Sequence, residues 1–277
     1  VGYAYGFLGG AIVTLLLQLN LIWRHRRHYR WSIRPLAPEV REVTLVALPL
    51  FIGLAGTRID VLLDFVFASF LPEGHLSARI YGDALALQFA DLIIAVSHSV
   101  LLPHFAHLAG AGRDAELRRR VTQAAAGYLL ISLPVAALLC AGAEETVELV
   151  FLWGAFTPEK ARLTAVLVPL AALAAPAYAV AQMLAQAHIS GGDTKTPMKI
   201  GFIRIGFKLV LSLSLILPLG IIGLVISSSV STWLRAVLLW RWLPPERRPG
   251  ARDLGRALRS TLLPAIAGGG AAWTVLL

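Results

Sequence analysis

Long apolar runs separated by short polar gaps dominate the pattern of this chain. A helix needs about 20 mostly apolar residues to cross a lipid bilayer, and eight segments meet that requirement. They lie at roughly 3–23, 43–70, 79–108, 121–143, 161–189, 198–217, 220–243 and 256–277. The pattern therefore predicts an all-α, polytopic integral membrane protein with about eight transmembrane helices.

Composition narrows the class further. Only 15% of the residues are charged, against about a quarter in an average soluble domain, and the mean hydropathy is +0.71. The single Cys140 excludes an intramolecular disulfide and a cysteine-based metal site. The chain has no phosphate-binding glycine loop, nucleophile elbow or zinc-protease motif. We therefore expect no enzyme activity, no cofactor and no metal.

Lys and Arg are concentrated in every second gap between the apolar runs. The basic gaps are residues 24–42, 110–120, 190–199 and 243–259. They hold 17 Lys and Arg residues, whereas the alternating gaps hold only Arg79, Lys160 and Arg162. Cytoplasmic loops carry the excess of positive charge, so the pattern places the basic gaps in the cytoplasm. Because the net charge of +9 is divided among these short gaps, we expect no nucleic-acid partner.

Charged side chains also lie inside the apolar runs, where a bare charge costs at least a few kcal/mol. Helical spacing arranges them and neighbouring polar residues in stripes, one on each of five helices. The stripes are Asp60 and Asp64; Gln88, Asp91 and His98; Tyr178, Gln182 and Gln186; Arg204, Lys208 and Ser212; and Ser227, Ser231 and Arg235. We predict that they face a hydrated central cavity. The alternative is that acids and bases only pair to hold the helices together.

Several segments resemble the lipid II flippase family MurJ, also called MviN, over about residues 49–243. They are FASFLPEGHLSARIYGDALAL, VLLPHFAHLAG, FLWGAFTPEKARLTA, GGDTKTPMKI and LILPLGIIGLVISSSVSTW. The most specific pieces are GAFT at 154–157, GDTKTP at 192–197 and PLG at 218–220. The family belongs to the multidrug, oligosaccharidyl-lipid and polysaccharide exporter superfamily. The resemblance implies part of a two-lobe flippase fold in the bacterial inner membrane.

The resemblance also implies how the chain is divided. Residues 1–23 would be the last helix of the N-terminal lobe, and 24–42 a basic cytoplasmic linker. Residues 43–243 would form the six-helix C-terminal lobe, and 244–277 a linker with the first helix of a terminal pair. About five N-terminal helices and one C-terminal helix would then be absent. Since the chain starts with Val1 inside an apolar run, we expect a fragment. Half of the fold would leave its cavity face open to lipid, so we expect it to be unstable or inactive alone.

The implied substrate is an undecaprenyl-diphosphate-linked peptidoglycan precursor, lipid II, moved between leaflets by alternating access. Cationic and amide side chains would bind its diphosphate; the candidates are Arg58, Arg204, Lys208, Arg235 and Gln182. Acidic and histidine side chains would couple transport to an ion or proton gradient; the candidates are Asp60, Asp64, Asp83, Asp91 and His98. The membrane potential could also bias the cycle. The partners are this lipid-linked substrate and membrane lipids.

Departures from the family pattern keep alternatives open. The family commonly has Tyr-Ala-Asp-Arg where this chain has Tyr81, Gly82, Asp83 and Ala84, so a cavity arginine is replaced by alanine. Lys208 and Arg235 stand at positions that are commonly asparagine, and Gln182 at a common lysine. One alternative is therefore export of another lipid-linked oligosaccharide or an amphiphile. A second is a non-transporting membrane scaffold that recruits partners through its basic loops.

Overall fold

The computed structural model describes residues 2–24, 38–153 and 156–250, together with residues 255, 256, 258–260 and 264. In these ranges the chain is helical and contains no strand, which confirms the predicted all-α fold. The helices there are α1 (Gly2–Arg24), α2 (Pro38–Ala68), α3 (His75–Gly110), α4 (Asp114–Ala141), α5 (Ala143–Phe151), α6 (Pro158–Ala172), α7 (Ala175–Ser190), α8 (Lys195–Leu219) and α9 (Ile221–Trp242).

The chain divides into two compact units, Val1–Leu45 and Val46–Leu277. The first unit contains α1 and the beginning of α2. The side chains of α1 are exposed from Tyr5 to Arg24, and a helix that is apolar on all faces is suited to lipid or to further helices. The second unit contains the helices that carry the polar stripes.

Most of the predicted spans correspond to described helices. By length and composition, α1, α2, α3, α4, α8 and α9 could each cross a membrane. The pair α6 and α7 supplies a seventh crossing if it is counted as one bent span. The predicted span at 256–277 lies almost entirely outside the described residues, and so does most of the predicted linker at 24–42.

The predicted span over 161–189 is present as two helices joined at a bend. The helix bends by 45° where α6 ends at Ala172 and α7 begins at Ala175. Pro176 explains the break, because proline has no N–H for the carbonyl group four residues earlier and its ring clashes with that carbonyl. Hydropathy does not fall across the break, so the apolar run alone did not reveal it.

Side chains of α9 satisfy carbonyl groups that the break leaves without helical partners. Ser229 donates its hydroxyl to the carbonyl oxygen of Leu170 at 2.7 Å. Trp233 donates its indole N–H to the carbonyl oxygen of Leu173 at 3.1 Å. Backbone groups inside a membrane need such internal partners because lipid offers none. The break is therefore a stable feature that ties α6 to α9.

Two further boundaries differ from the prediction. The third span begins at His75 and not at 79, so Arg79 lies inside α3 and is 5% exposed. Its assignment to an outer gap was wrong, because polar residues near a helix start lower the local hydropathy. Lys160 and Arg162 likewise lie in the first turns of α6.

The short helix α5 was not predicted, since its nine residues cannot cross a bilayer.

Helix α7 lies at the centre of the second unit, packed against α3, α4 and α9. Its alanines are buried on several faces, and small side chains allow helices to approach closely. One apolar cluster surrounds α7 and includes Phe105, Leu184 and Leu239. A second cluster, which includes Leu167 and Leu224, joins α3, α5, α6 and α9. These clusters fix the positions of the polar stripes between the helices.

Helices α8 and α9 form a tight hairpin around the PLG motif at 218–220. Gly220 has a φ of +56°, a left-handed conformation that side chains disfavour. At Gly223 a Cβ atom would collide with the carbonyl group of Leu215 on the preceding helix. Glycine at 223 therefore permits the close contact that brings the Arg204 and Lys208 stripe beside α9.

Candidate functional site

The polar stripe of α2 faces the polar stripe of α8. The Lys208 ammonium donates to Asp60 Oδ1 at 3.0 Å and to Asp64 Oδ2 at 2.7 Å. The Arg204 guanidinium donates to Asp60 Oδ2 at 2.7 Å. Since each stripe repeats every four residues, two successive turns of one helix meet two successive turns of the other. The structure thus brings four of the predicted site residues into direct contact.

Arg79 extends this contact to α3 and α9. Its guanidinium donates to Asp64 Oδ2 at 2.8 Å, to Asp83 Oδ2 at 3.3 Å and to the Ser228 hydroxyl at 2.9 Å. Asp64 Oδ2 therefore accepts from Lys208 and Arg79 together. We call the linked side chains the ion-pair cluster: Asp60, Asp64, Arg79, Asp83, Arg204 and Lys208. Its three cations and three carboxylates leave no net charge.

The charged side chains of this cluster are largely buried, so each of them needs an ion-pair partner. The side chains of Lys208 and Arg79 are 5% and 6% exposed, and those of Asp60 and Asp64 are 13% and 14% exposed. Removing charges from water is costly, and only well-formed pairs offset that cost. Deleting one partner typically costs about 3–5 kcal/mol, because the remaining charge stays buried and unpaired. The cluster therefore joins α2, α3 and α8 firmly.

A second polar region lies between α3, α7 and α9. Tyr178 donates its hydroxyl to Asp91 Oδ1 at 2.8 Å. Arg235 donates to Gln182 Oε1 at 2.9 Å. We call these four side chains the Arg235 region. The predicted Tyr178 and Gln182 stripe of α7 thus faces both Asp91 and Arg235.

Arg235 is partnered differently from the cations of the cluster. Within the described ranges it forms no ion pair, and its hydrogen-bond partner is the neutral Gln182. Its side chain lies near enough to Arg204 and Asp60 to be influenced by their charges. A guanidinium has five N–H donors, so Arg235 keeps donors for a further acceptor.

The remaining predicted residues form no hydrogen bond or ion pair with either region among the described residues. Arg58 and His98 are exposed, and the described contacts give them no hydrogen bond or ion pair. Gln186 and Ser212 are buried, and neither Gln186 Oε1 nor Ser212 Oγ has a partner among the described residues. In those same ranges no group of three or more His, Cys, Asp or Glu side chains could hold a metal ion.

Two contributors to the cluster were missed in the sequence. Arg79 was counted as a loop residue, and Ser228 lies off the Ser227 and Ser231 stripe. The sequence feature that could have revealed Arg79 is its spacing from Asp83, since opposite charges four residues apart on a helix commonly pair. Their ion pair links one turn of α3.

The GDTKTP segment builds the turn between α7 and α8. Asp193 Oδ1 accepts a hydrogen bond from the backbone N–H of Thr196 at 3.0 Å, and Asp193 Oδ2 lies 3.3 Å from Nδ1 of the buried His188. Burial raises the pKa of the Asp193 carboxyl, but the hydrogen bonds from Thr196 and the contact with His188 outweigh it and lower that pKa. The motif therefore has a clear structural role at the start of α8.

Arginines of the basic segment after α9 also hold the fold together. Arg247 donates to Asp114 Oδ1 at 2.7 Å, which joins this segment to the first turn of α4. Arg248 donates to the carbonyl oxygen of Leu243 and lies over the ring of Trp240 at 5.6 Å. Part of the charge that predicts orientation is thus also used in packing.

Long apolar helices with charged groups enclosed between them define a class, the polytopic membrane proteins. Residues 1–276 match the family described as Lipid II flippase MurJ. The chain therefore belongs to the lipid II flippase MurJ family, as its motifs predicted. It is a multi-pass protein of the bacterial inner membrane.

Relatives from several bacteria match much of the chain. A Bdellovibrio bacteriovorus protein described as a probable lipid II flippase MurJ is 30% identical over 97% of this chain and 51% of its own length. A Rhizobium meliloti protein of the same description is 29% identical over 88% of this chain and 46% of its own length. The chain thus spans about half the length of the curated relatives it matches.

Solved structures show the same fold. A lipid II flippase MurJ in an inward closed conformation matches 89% of this chain and 55% of its own with a TM-score of 0.69 and 17% identity. A transporter of the MOP superfamily from Pyrococcus furiosus matches 81% of this chain and 51% of its own with a TM-score of 0.52 and 16% identity. At these identities the likeness concerns the fold alone.

Proposed function

We propose that this chain forms part of a lipid II flippase that moves an undecaprenyl-diphosphate-linked peptidoglycan precursor from the inner to the outer leaflet by alternating access. Membership in the MurJ family supports this substrate. One observation carries the proposal of Arg235 as a binding residue. Arg235 is a cation inside a membrane-length helix, and its hydrogen-bond partner is neutral.

Arg235 has the chemistry that a diphosphate requires. A planar guanidinium can donate two parallel hydrogen bonds to phosphate oxygens, and such charge-assisted bonds are stronger than neutral ones. Because no carboxylate is ion-paired with Arg235 among the described residues, its guanidinium keeps donors for a ligand. Gln182 orients the guanidinium from α7, and the Tyr178 hydroxyl lies in the same region.

The ion-pair cluster has a different part in this mechanism. Arg204 and Lys208 are predicted substrate contacts, but their charges are matched by Asp60 and Asp64. The cluster keeps α2, α3 and α8 together as one body, and alternating access requires bodies that rock against each other around the bound substrate. In this proposal Arg235 binds the head group while the cluster preserves the surface that presents it.

Orientation and driving force follow from charge. The basic segments at 24–42, 110–120, 190–199 and 243–259 face the cytoplasm in this proposal. The cytoplasm is at negative potential, so outward movement of an anionic head group is favoured by about 2.3 kcal/mol per charge per 100 mV. The membrane potential would then bias the cycle without any cofactor. Collapsing the potential in vesicles should slow outward flipping.

Complementation tests this function. The gene product is expressed at its full length in a bacterium depleted of its own lipid II flippase, and growth and lipid II at the outer leaflet are scored. We expect rescue by the wild type and failure of Arg235→Gln at equal membrane abundance. Arg162→Gln, an exposed arginine near the start of α6, is the matched control and should rescue. Absence of rescue by a well-expressed wild type would contradict the proposed substrate.

A second candidate is export of another lipid-linked oligosaccharide through the same fold. The observation that favours it is Ala84, which stands where the family commonly has a cavity arginine. The diphosphate chemistry at Arg235 would be shared, whereas the sugar contacts would differ. Binding of lipid II and of a different undecaprenyl-diphosphate oligosaccharide to the purified protein would separate the two candidates.

A further inference from the structure

Lys208 occupies the space between two carboxylates on successive turns of α2. Its ammonium lies 3.0 Å from Asp60 Oδ1 and 2.7 Å from Asp64 Oδ2, and the residue is 4% exposed. Two of the three N–H groups of the ammonium are used by these carboxylates. The side chain therefore acts as a fixed positive charge at the point where two acidic side chains converge.

The same oxygen atoms would suit a small monovalent cation. Hard cations such as alkali and alkaline-earth ions prefer carboxylate, hydroxyl and carbonyl oxygens. Asp64 Oδ1, on the carboxylate that Lys208 contacts, has no partner in the described part of the chain. The buried Ser212 hydroxyl, one turn beyond Lys208 on the same helix, has no partner there either. An enclosed oxygen-rich position thus already exists, with the Lys208 nitrogen at its centre.

Charge balance keeps a free cation out while Lys208 is present. The other cations that face the two carboxylates are Arg204 on Asp60 and Arg79 on Asp64, and Asp83 lies against Arg79. The cluster as a whole is neutral. A metal ion added to it would give a net positive charge in a medium of low polarity, where like charges repel strongly.

We propose that the Lys208 ammonium is a built-in cation that takes the place of a bound alkali metal ion between Asp60 and Asp64, so that this protein is stable without sodium. A neutral residue at 208 converts the same oxygens into a sodium site. The inference rests on the ion-pair cluster and not on the identity of the transported lipid.

The test measures thermal unfolding of the purified full-length gene product in NaCl and in choline chloride at equal ionic strength. The wild type should melt within about 1 °C in the two salts. Lys208→Gln leaves one carboxylate charge uncompensated, so it should melt lower in choline chloride. Sodium should raise its midpoint by at least about 3 °C and the rise should saturate with concentration.

Control variants separate a specific site from a general salt effect. Lys208→Arg keeps the positive charge and should not respond to sodium. Adding Asp60→Asn and Asp64→Asn to Lys208→Gln should abolish the response, because the ligand charges are gone. Arg58→Gln removes an exposed cation from the same helix as the two carboxylates and should melt alike in both salts.

Three results would overturn the proposal. A saturable sodium effect in the wild type would show that Lys208 does not fill the site. Equal melting of Lys208→Gln in the two salts would show that no cation site is released. Failure of Lys208→Gln to fold even in NaCl would show that sodium cannot replace the ammonium. Because unfolding is the readout, these results are independent of complementation by the proposed flippase activity.

Discussion

The ion-pair cluster and the Arg235 region contain the same kinds of residue but satisfy them in opposite ways. In the cluster, three cations, of which Arg79 and Lys208 are buried, meet three carboxylates. In the Arg235 region, the arginine meets a neutral amide and the acid meets a tyrosine hydroxyl. A matched charge stabilises the fold, whereas an unmatched one remains available to a ligand. The role of a charged residue inside the membrane is therefore better indicated by the group it is paired with than by the charge alone.

Asp64→Asn should give the largest effect, because both Lys208 and Arg79 donate to Asp64 Oδ2. Two buried cations would lose a charged partner, at a cost of about 3–5 kcal/mol in the free energy of unfolding. Membrane abundance and the melting midpoint of the full-length protein measure it. Asp91→Asn is the matched control in the Arg235 region and should cost less than about 1 kcal/mol. Equal losses in the two variants would remove the distinction between the regions.

Double-mutant cycles should give a larger coupling energy between residues of the ion-pair cluster than between residues of the Arg235 region. Combining Asp64→Asn with Lys208→Gln restores neutrality, so the double variant should be more stable than the sum of the single losses by about 2 kcal/mol. The corresponding cycle for Gln182→Ala and Arg235→Gln should give a coupling below about 1 kcal/mol, as expected for one hydrogen bond. Chemical or thermal unfolding supplies both numbers. A larger coupling energy for Gln182 and Arg235 than for Asp64 and Lys208 would contradict the conclusion that matched charges hold the fold together more strongly than the Arg235 region does.

Arg235→Gln should lower flipping by at least about tenfold, equivalent to about 1.4 kcal/mol, while the melting midpoint shifts by a few degrees at most. The guanidinium is removed from the proposed substrate contact without leaving a buried carboxylate unpaired. Arg235→Lys should recover part of the activity, since lysine keeps the charge but not the planar pair of donors. Wild-type flipping by Arg235→Gln would contradict a substrate role.

Asp193→Asn should have the smallest effect, because it lies in the turn outside both regions. Asparagine keeps the acceptor for Thr196, so the variant loses the charge and the contact of Asp193 Oδ2 with His188, together worth less than about 1 kcal/mol at this partly exposed site. The lowered pKa of Asp193 means that its stabilisation is complete at neutral pH and is lost as pH falls below its ordinary value of 3.8. The melting midpoints of the wild type and of Asp193→Asn should therefore converge in acid.

Much of the fold could be predicted from hydropathy, since apolar runs of sufficient length correspond to α1, α2, α3, α4, α8 and α9. The family could be predicted from motifs such as GDTKTP and PLG. The break between α6 and α7 could not be read from hydropathy, because Leu173 and Ala174 are as apolar as their neighbours. The short helix α5 is similarly invisible to a search for spans.

The site was predictable in its parts and not in its pairings. Spacing placed Asp60 with Asp64 and Arg204 with Lys208 on single helix faces, and the structure brings these faces together. Which stripe meets which depends on long-range packing, including the close approach at Gly223. Arg79 was missed since hydropathy sets helix ends only to within a few residues. Substrate and ion-coupling roles for the predicted site residues stay predictions.

Affinity for lipid II tests the division of roles most directly. Binding to the purified full-length protein is measured for the wild type and Arg235→Gln, at temperatures where both are folded. We predict an affinity at least about tenfold weaker for Arg235→Gln with little change in its melting midpoint. An unchanged affinity would contradict the central claim that the unmatched arginine, and not the ion-pair cluster, binds the diphosphate.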